Sequence, residues 1–289
     1  MQISSDKNTI FSSNQTINCR GKLINFNKAL VMGILNITDD SFFDGGKHIT
    51  EAQWMAHTCK MLLDGADIID IGAASTRPGA KLISADEEAE ILLPVIRSIR
   101  KEYPDALISV DTYHSNVAKI SADNGVDIIN DISGGEFDKA MFSTIAQLKV
   151  PYILMHIKGA PENMQQNPIY ENLIEEMMLY FAEKINTLRL LGVNDIILDP
   201  GFGFGKTVEH NYEILQKLDL FKFHELPILV GLSRKSMINK VLNTSPAEAL
   251  NGTTVLNTIA LLKGAKIVRV HDVKEAVEAV KLCETMNFI

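Results

Sequence analysis

Short apolar runs recur along the chain, each separated from the next by a stretch with helical spacing. The runs are VMGILNI (31–37), DIIDIG (67–72), LISVD (107–111), DIINDI (127–132), YILMHI (152–157), DIILDPG (195–201), PILVGLS (227–233) and KIVRVHD (266–272). They are rich in Ile, Val and Leu with little polar alternation, as in strands buried on both faces of a parallel sheet. Between them, Ile91, Leu92, Val95, Ile96 and Ile99 form one apolar stripe. Ile174, Met177, Phe181, Ile185 and Leu188 form another, and both stripes predict amphipathic helices. Capping boxes at Thr50–Gln53 and Ser84–Glu87 mark helix starts. The phrases DGAD, NGVD, LGVND and KGAK precede four of the strands, and their glycines suit left-handed helix ends.

Eight strands alternating with eight helices predict a (β/α)8 TIM barrel. An open doubly wound sheet has the same alternation, and periodicity alone does not decide closure. The segment TINCRGKLINF (16–26) predicts a β-hairpin turning at Arg20-Gly21, ahead of the first barrel strand. No linker divides the chain, so residues 1–289 are read as a single domain. The sequence is silent on whether residues 1–15 are ordered.

Composition narrows the function. Of 289 residues, 46% are hydrophobic and 22% charged, which excludes a disordered or collagen-like chain. A net charge of −8 argues against nucleic acid or anionic lipid as the main partner. Any anionic ligand would need a local basic site. Cys19, Cys59 and Cys283 are too far apart for a zinc motif or a redox pair, and a reducing cytoplasm suits them. The start of the chain lacks a signal-peptide pattern, and no apolar run reaches membrane-spanning length.

Polar residues end the apolar runs. Asn36 ends the first and Asp111 the third; Asn130-Asp131 falls near the end of the fourth. His156 follows Met155 in the fifth, and Asp199 closes the sixth. Ser233-Arg234-Lys235-Ser236 leaves the seventh, and Arg269 with His271-Asp272 leaves the eighth. Any single Asp, Asn or Ser of this set reads as a helix N-cap. The set as a whole includes an Asn inside an apolar run and an Arg flanked by valines, which are costly to bury unpaired. A ligand pocket at the C-terminal ends of the strands accounts for them together.

The segment from Asp199 to Thr207, DPGFGFGKT, is glycine-rich, but Pro200 stands where a phosphate-binding loop needs glycine. A tight turn that brings backbone and rings close to a flat ligand fits it better. His48, His57, His114, His210 and His224 read as surface or packing residues. Neither a zinc-binding His-Glu-x-x-His nor a Gly-x-Ser-x-Gly elbow is present.

The blocks GILNITDDSFFDGG (33–46), STRPGA (75–80), SVDT (109–112), IINDI (128–132), LMH (154–156), DPGFGFGK (199–206), GLSRKSM (231–237) and RVHD (269–272) occur in order. Together they resemble bacterial dihydropteroate synthase. The resemblance implies a TIM barrel that condenses 6-hydroxymethyl-7,8-dihydropterin diphosphate with 4-aminobenzoate in folate biosynthesis, a sulfonamide target. It assigns Asp111, Asn130, Met155, Asp199 and Lys235 to the pterin, and Asn36, Arg269 and His271 to the diphosphate. Asn36 would also reach Mg²⁺, the implied cofactor. Phe42, Thr76, Arg77, Pro78, Phe204 and Ser236 would form the 4-aminobenzoate side. Asp111, Lys235, Arg269 and His271 are the expected catalytic residues, in a cytoplasmic homodimer. One departure stands in the first loop, where Asp39 replaces a proline usual in the family. The rival readings are a pterin-dependent methyltransferase and an inactive pterin-binding homologue. Both should lack some of the STRP, RVH and loop residues present here.

Overall fold

The computed structural model describes residues 16–37, 50–73, 83–159, 164 and 168–286. A hairpin of β1 (Thr16–Cys19) and β2 (Lys22–Asn25) comes first, antiparallel, with Thr16 opposite Asn25. Arg20 and Gly21 both take positive φ, 51° and 87°, the geometry a two-residue hairpin turn requires.

Eight parallel strands follow: β3 (Leu30–Asn36), β4 (Ile68–Gly72), β5 (Leu107–Asp111), β6 (Ile128–Asp131), β7 (Tyr152–Met155), β8 (Ile196–Asp199), β9 (Leu229–Val230) and β10 (Ile267–Val270). Their order in the sheet is β8-β7-β6-β5-β4-β3-β10-β9. A parallel bridge between Leu198 and Ile228 joins β8 to the residue before β9, and Leu198 N donates to Pro227 O. The sheet is therefore a closed barrel, and the open alternative falls.

The helices wrap outside: α1 (Glu51–Leu63), α2 (Ala85–Glu102), α3 (Ser115–Asp123), α4 (Met141–Leu148), α5 (Leu173–Leu190), α6 (Val208–Gln216), α7 (Ser236–Leu242), α8 (Leu250–Leu262) and α9 (Val273–Thr285). Nine helices are described where the alternation predicted eight. The connection after β9 holds two, because Asn243 closes α7 in the left-handed region and Pro246 follows. Both capping boxes form, and Gly65, Gly125, Gly192 and Gly264 take positive φ. One stripe residue departs from expectation. Ile91 is exposed at the edge of its helix, whereas Leu92, Val95, Ile96 and Ile99 are buried.

Strand alternation divides the barrel wall into two apolar sets. Val31, Leu35, Ile69, Ile71, Ile108, Val110, Ile129, Leu154, Leu198 and Val268 point outward under the helices. Leu30, Met32, Ile68, Leu107, Ile128, Ile153, Ile197, Leu229 and Ile267 point inward at the N-terminal end of the barrel. Ile17, Cys19 and Phe26 pack against this inner layer, so the hairpin plugs that mouth. Burial there pushes the Cys19 thiol up to about 12, which leaves it an inert packing group.

Candidate active site

Two residues further along each strand, the same inward parity places Ile34, Asp70, Ser109, Asn130, Met155, Asp199 and Arg269. Asn36, Gly72 and Asp111 come one step beyond. The inner lining thus changes from aliphatic to polar between the two ends of the barrel. Register fixes the neighbours: Asp111 lies opposite both Gly72 and Asn130, and Met155 opposite Asp199. Gly72 leaves an opening. A Cβ there would stand 3.4 Å from Asn36 Oδ1 and 3.6 Å from Asp111 Cβ.

Arg269 sits across this layer. Its Nε donates to Asp70 Oδ2 at 2.6 Å and its Nη2 to Asp111 Oδ2 at 3.0 Å. Asn130 Nδ2 donates to the same Asp70 oxygen at 3.1 Å, while Asp70 Oδ1 is buried with no hydrogen-bond partner among the described residues. Burial pushes the Asp111 carboxyl up to about 7, although Arg269 pulls it down. Burial likewise raises Asp199, opposed chiefly by Lys235, and lowers Lys235 to about 8, opposed by Asp199. Asp199 Oδ1 accepts from Gly201 N at 2.7 Å. The Lys235 ammonium donates to Phe202 O and lies 4.9 Å from the Phe204 ring centroid. Beside these polar groups, Met155 packs with Tyr113, Ile132, Ile157 and Met164, with Phe204 against the cluster. The arrangement offers three carboxylates, an amide, a guanidinium and an ammonium beside an apolar, sulfur-bearing wall. That combination suits a flat heterocycle with several donors and acceptors.

The profile of the family described as pterin binding enzyme matches residues 32–271. The chain belongs to this family. Dihydropteroate synthase of Escherichia coli K12 is 43% identical over 267 residues, covering 92% of this chain and 94% of the relative. The Bacillus subtilis enzyme of the same name is 43% identical over 90% of this chain and 89% of its own. Among solved structures, Yersinia pestis dihydropteroate synthase in a sulfonamide drug complex superposes with a TM-score of 0.90 at 40% identity. That match covers 95% of this chain and all of the other. Xanthomonas albilineans dihydropteroate synthase with 4-aminobenzoic acid gives 0.88 at 32% identity, covering 96% and 100%.

Of the residues that the dihydropteroate synthase resemblance singles out, Asn36, Asp111, Asn130, Met155, Asp199, Lys235 and Arg269 gather at the C-terminal end of the barrel. His271 lies at the rim, where Ser233 Oγ is 3.0 Å from its Nδ1 and accepts from its backbone N at 3.2 Å. Ser236 is the exposed first residue of α7, directly after Lys235. Phe42, Thr76, Arg77 and Pro78, with Asp39, lie outside the described residues.

Four polar residues read as part of the pocket have other duties. Asp131 and His156 each follow an inward residue, so the pleat turns them outward. Asp131 accepts from Tyr152 Oη, Ser133 N and Gly135 N. Arg234 makes a two-point ion pair with Asp272, at 2.9 and 2.7 Å, and donates to two carbonyls after α7. Conversely, the sequence reading passed over Asp70, hidden in the run DIIDIG. Counting in twos from Ile68 would have found it.

Proposed function

We propose that this chain acts as a dihydropteroate synthase, condensing 6-hydroxymethyl-7,8-dihydropterin diphosphate with 4-aminobenzoate to give 7,8-dihydropteroate and diphosphate. The observation that carries the reading is the inward polar layer of Asp70, Asp111, Asn130, Asp199, Lys235 and Arg269 in one barrel end. Asp199 accepts the adjacent N–H donors of the amino-pyrimidinone edge, and Lys235 donates to the ring's acceptors. Asn130 adds a further polar contact, and Met155 lies against the ring face. The bond from the methylene carbon to the diphosphate oxygen breaks with its electron pair leaving on diphosphate. The pterin-stabilised cation takes the lone pair of the aromatic amine, which then gives up a proton. Ionised Asp111 stabilises the cation, while Arg269 and His271 stabilise the departing anion. Phe204 and Ser236 border the 4-aminobenzoate side, with Phe42, Thr76, Arg77 and Pro78 as further candidates.

Magnesium fits as a partner of the diphosphate. Among the described residues no group of three His, Cys, Asp or Glu could hold a metal alone. Asn36 Oδ1 beside the Gly72 opening supplies a neutral oxygen, the type of ligand magnesium accepts alongside phosphate oxygens. When bound, the ion would neutralise charge on the leaving diphosphate.

The exposed side chains of Val241 and Leu242 on α7, Val255, Ile259 and Leu262 on α8, and Leu282 on α9 support pairing with a second copy. No helix among the described residues is long and apolar enough to cross a membrane, and the free thiols suit a cytoplasmic protein. The deciding experiment is turnover with both substrates and Mg²⁺, read as diphosphate release. Release that does not depend on 4-aminobenzoate would defeat the reading.

A further inference from the structure

Lys206 has no part in the chemistry above, yet it is 2% exposed beside it. Its Nζ lies 3.1 Å from His156 Nδ1, 3.1 Å from His156 O, 2.9 Å from Gly201 O and 2.9 Å from Phe204 O. Burying an ammonium is costly even when such acceptors replace its water, and burial pulls the Lys206 pKa well below its ordinary value, opposed by Asp199. Burial and the charge of Lys206 push His156 down to about 2, so the imidazole is neutral and Nδ1 is free to accept.

The turn that Lys206 clasps lies flat on the segment after β7. Gly201 and Gly205 both have positive φ, 69° and 63°. A Cβ at Gly201 would stand 2.1 Å from His156 O, and one at Gly205 2.3 Å from Lys158 O. No side chain separates the two segments, and Lys206 Nζ bonds both, with Tyr170 Oη adding a bond to Gly205 O at 2.8 Å. Three groups of this turn face the site: Gly201 N on Asp199, Phe202 O on Lys235, and the Phe204 ring beside Lys235.

We propose that Lys206 is a positioning residue for the pterin half-site: its Nζ bolts the 201–205 turn to His156 and stands behind Asp199. The inference rests on the assignment of Asp199 and Lys235 to the pterin. The charged and titratable groups around Lys206 are Asp199 from β8, Lys235 from the turn after β9, and His156 and Lys158 after β7. Lys235, Arg269 and, in its protonated form, Lys206 draw the Asp199 pKa down. Removing Lys206 therefore loosens the turn and lets Asp199 take up a proton at higher pH.

The test is Lys206→Met, near in shape and neutral, titrated calorimetrically with 6-hydroxymethyl-7,8-dihydropterin between about pH 5 and 8. Affinity should drop about tenfold at neutral pH, the scale of one charge-assisted hydrogen bond, and further on the acid side. Tyr170→Phe removes another tie to the turn without removing charge and should stay within about twofold. A Lys206→Met protein with a lowered melting midpoint but wild-type pterin affinity and pH profile overturns the proposal, because that is a purely structural role. Asp199→Ala, run alongside, separates the two readings. If it binds pterin normally, the pterin assignment itself fails. If it loses pterin while Lys206→Met keeps it, only the role of Lys206 fails. Should Lys206→Met not fold, the ¹⁵N resonance of Lys206 Nζ in the wild-type protein decides. It should shift when pterin binds, and a resonance indifferent to pterin overturns the proposal.

Discussion

Asp127 and Asp70 are both buried aspartates of the barrel wall, 4% and 0% exposed, the first just ahead of its strand and the second in the middle of its own. Asp127 stands just before β6. Its Oδ2 accepts from Ile108 N at 2.8 Å and from Arg100 Nη2 at 2.6 Å, and Arg20 lies 3.8 Å from Oδ1. Asp67 repeats the device before β4, holding Val31 N and Lys28. Asp70 is three residues further on, yet both its partners crowd onto one oxygen and the other has none among the described residues. The arginines differ in the same way. Arg100 caps the carbonyls of Pro104, Ala106 and Gly125 as well as Asp127, whereas among the described residues the Arg269 guanidinium bonds Asp70 and Asp111. At the plugged end, folding saturates its buried charges and they stitch strand to strand. At the polar end, the fold holds charged groups with bonding capacity to spare, and that capacity is what a ligand can use.

The largest expected effect separates the two ends outright. Asp199→Ala should abolish measurable pterin binding while the melting midpoint stays near wild type, because the deleted carboxylate stabilises a ligand more than the fold. Asp127→Ala should do the reverse. Breaking its buried pair should cost roughly 3–5 kcal/mol of unfolding free energy, with kcat/KM of the folded fraction unchanged. If Asp127→Ala lowered kcat/KM as strongly as Asp199→Ala, the division of labour between the ends would be wrong.

A smaller effect is expected at Asp70, which touches the site only through Arg269 and Asn130. Asp70→Asn keeps the shape but removes the charge that holds the guanidinium. Affinity for the diphosphate-bearing substrate should fall by about ten- to a hundredfold, as for a lost charged hydrogen bond. A pterin without phosphates should bind almost as before. Equal losses for both ligands would show that Asp70 serves the pterin directly.

The contrast between the ends also explains what was legible in the sequence. All eight strands and the hairpin are visible because strands buried on both sides read as unbroken aliphatic runs. The polar strand-end residues stand out against those runs, so Asn36, Asp111, Asn130, Asp199 and Arg269 could be picked out. Facing was not legible from composition: Asn130 and Asp131 are neighbours of similar chemistry, and only the pleat decides which one lines the barrel. Asp70 escaped because it lies inside a run rather than at its end. Closure was undecided because it rests on backbone pairing between Leu198 and Ile228, whose side chains carry no signal of it. The bonds of Lys206 depend on a turn meeting a different strand 50 residues away, and spacing along the chain does not encode that contact.

The smallest expected effect is the pH profile, and it tests whether the unsaturated groups work in the charge states assigned to them. Asp111 titrates at about 7 and must be ionised to stabilise a pterin cation, so kcat/KM should rise as pH passes that value. Lys235 titrates at about 8 and must keep its proton to donate, so kcat/KM should fall beyond it. A narrow bell between the two is expected, and Asp111→Asn should lose the acid limb while keeping the basic one. Stability moves in the opposite sense on the acid side. The folded-state pKa of Asp111 lies above its ordinary value of 3.8, so the folded state holds a proton that the unfolded chain releases. Its contribution is therefore fully present below about pH 4 and lost as pH rises toward about 7. The melting midpoint of the wild-type protein relative to Asp111→Asn should decline across that window and level off above it. A difference that is flat with pH would mean that Arg269 holds Asp111 ionised throughout, and the acid limb of the activity would then need another source.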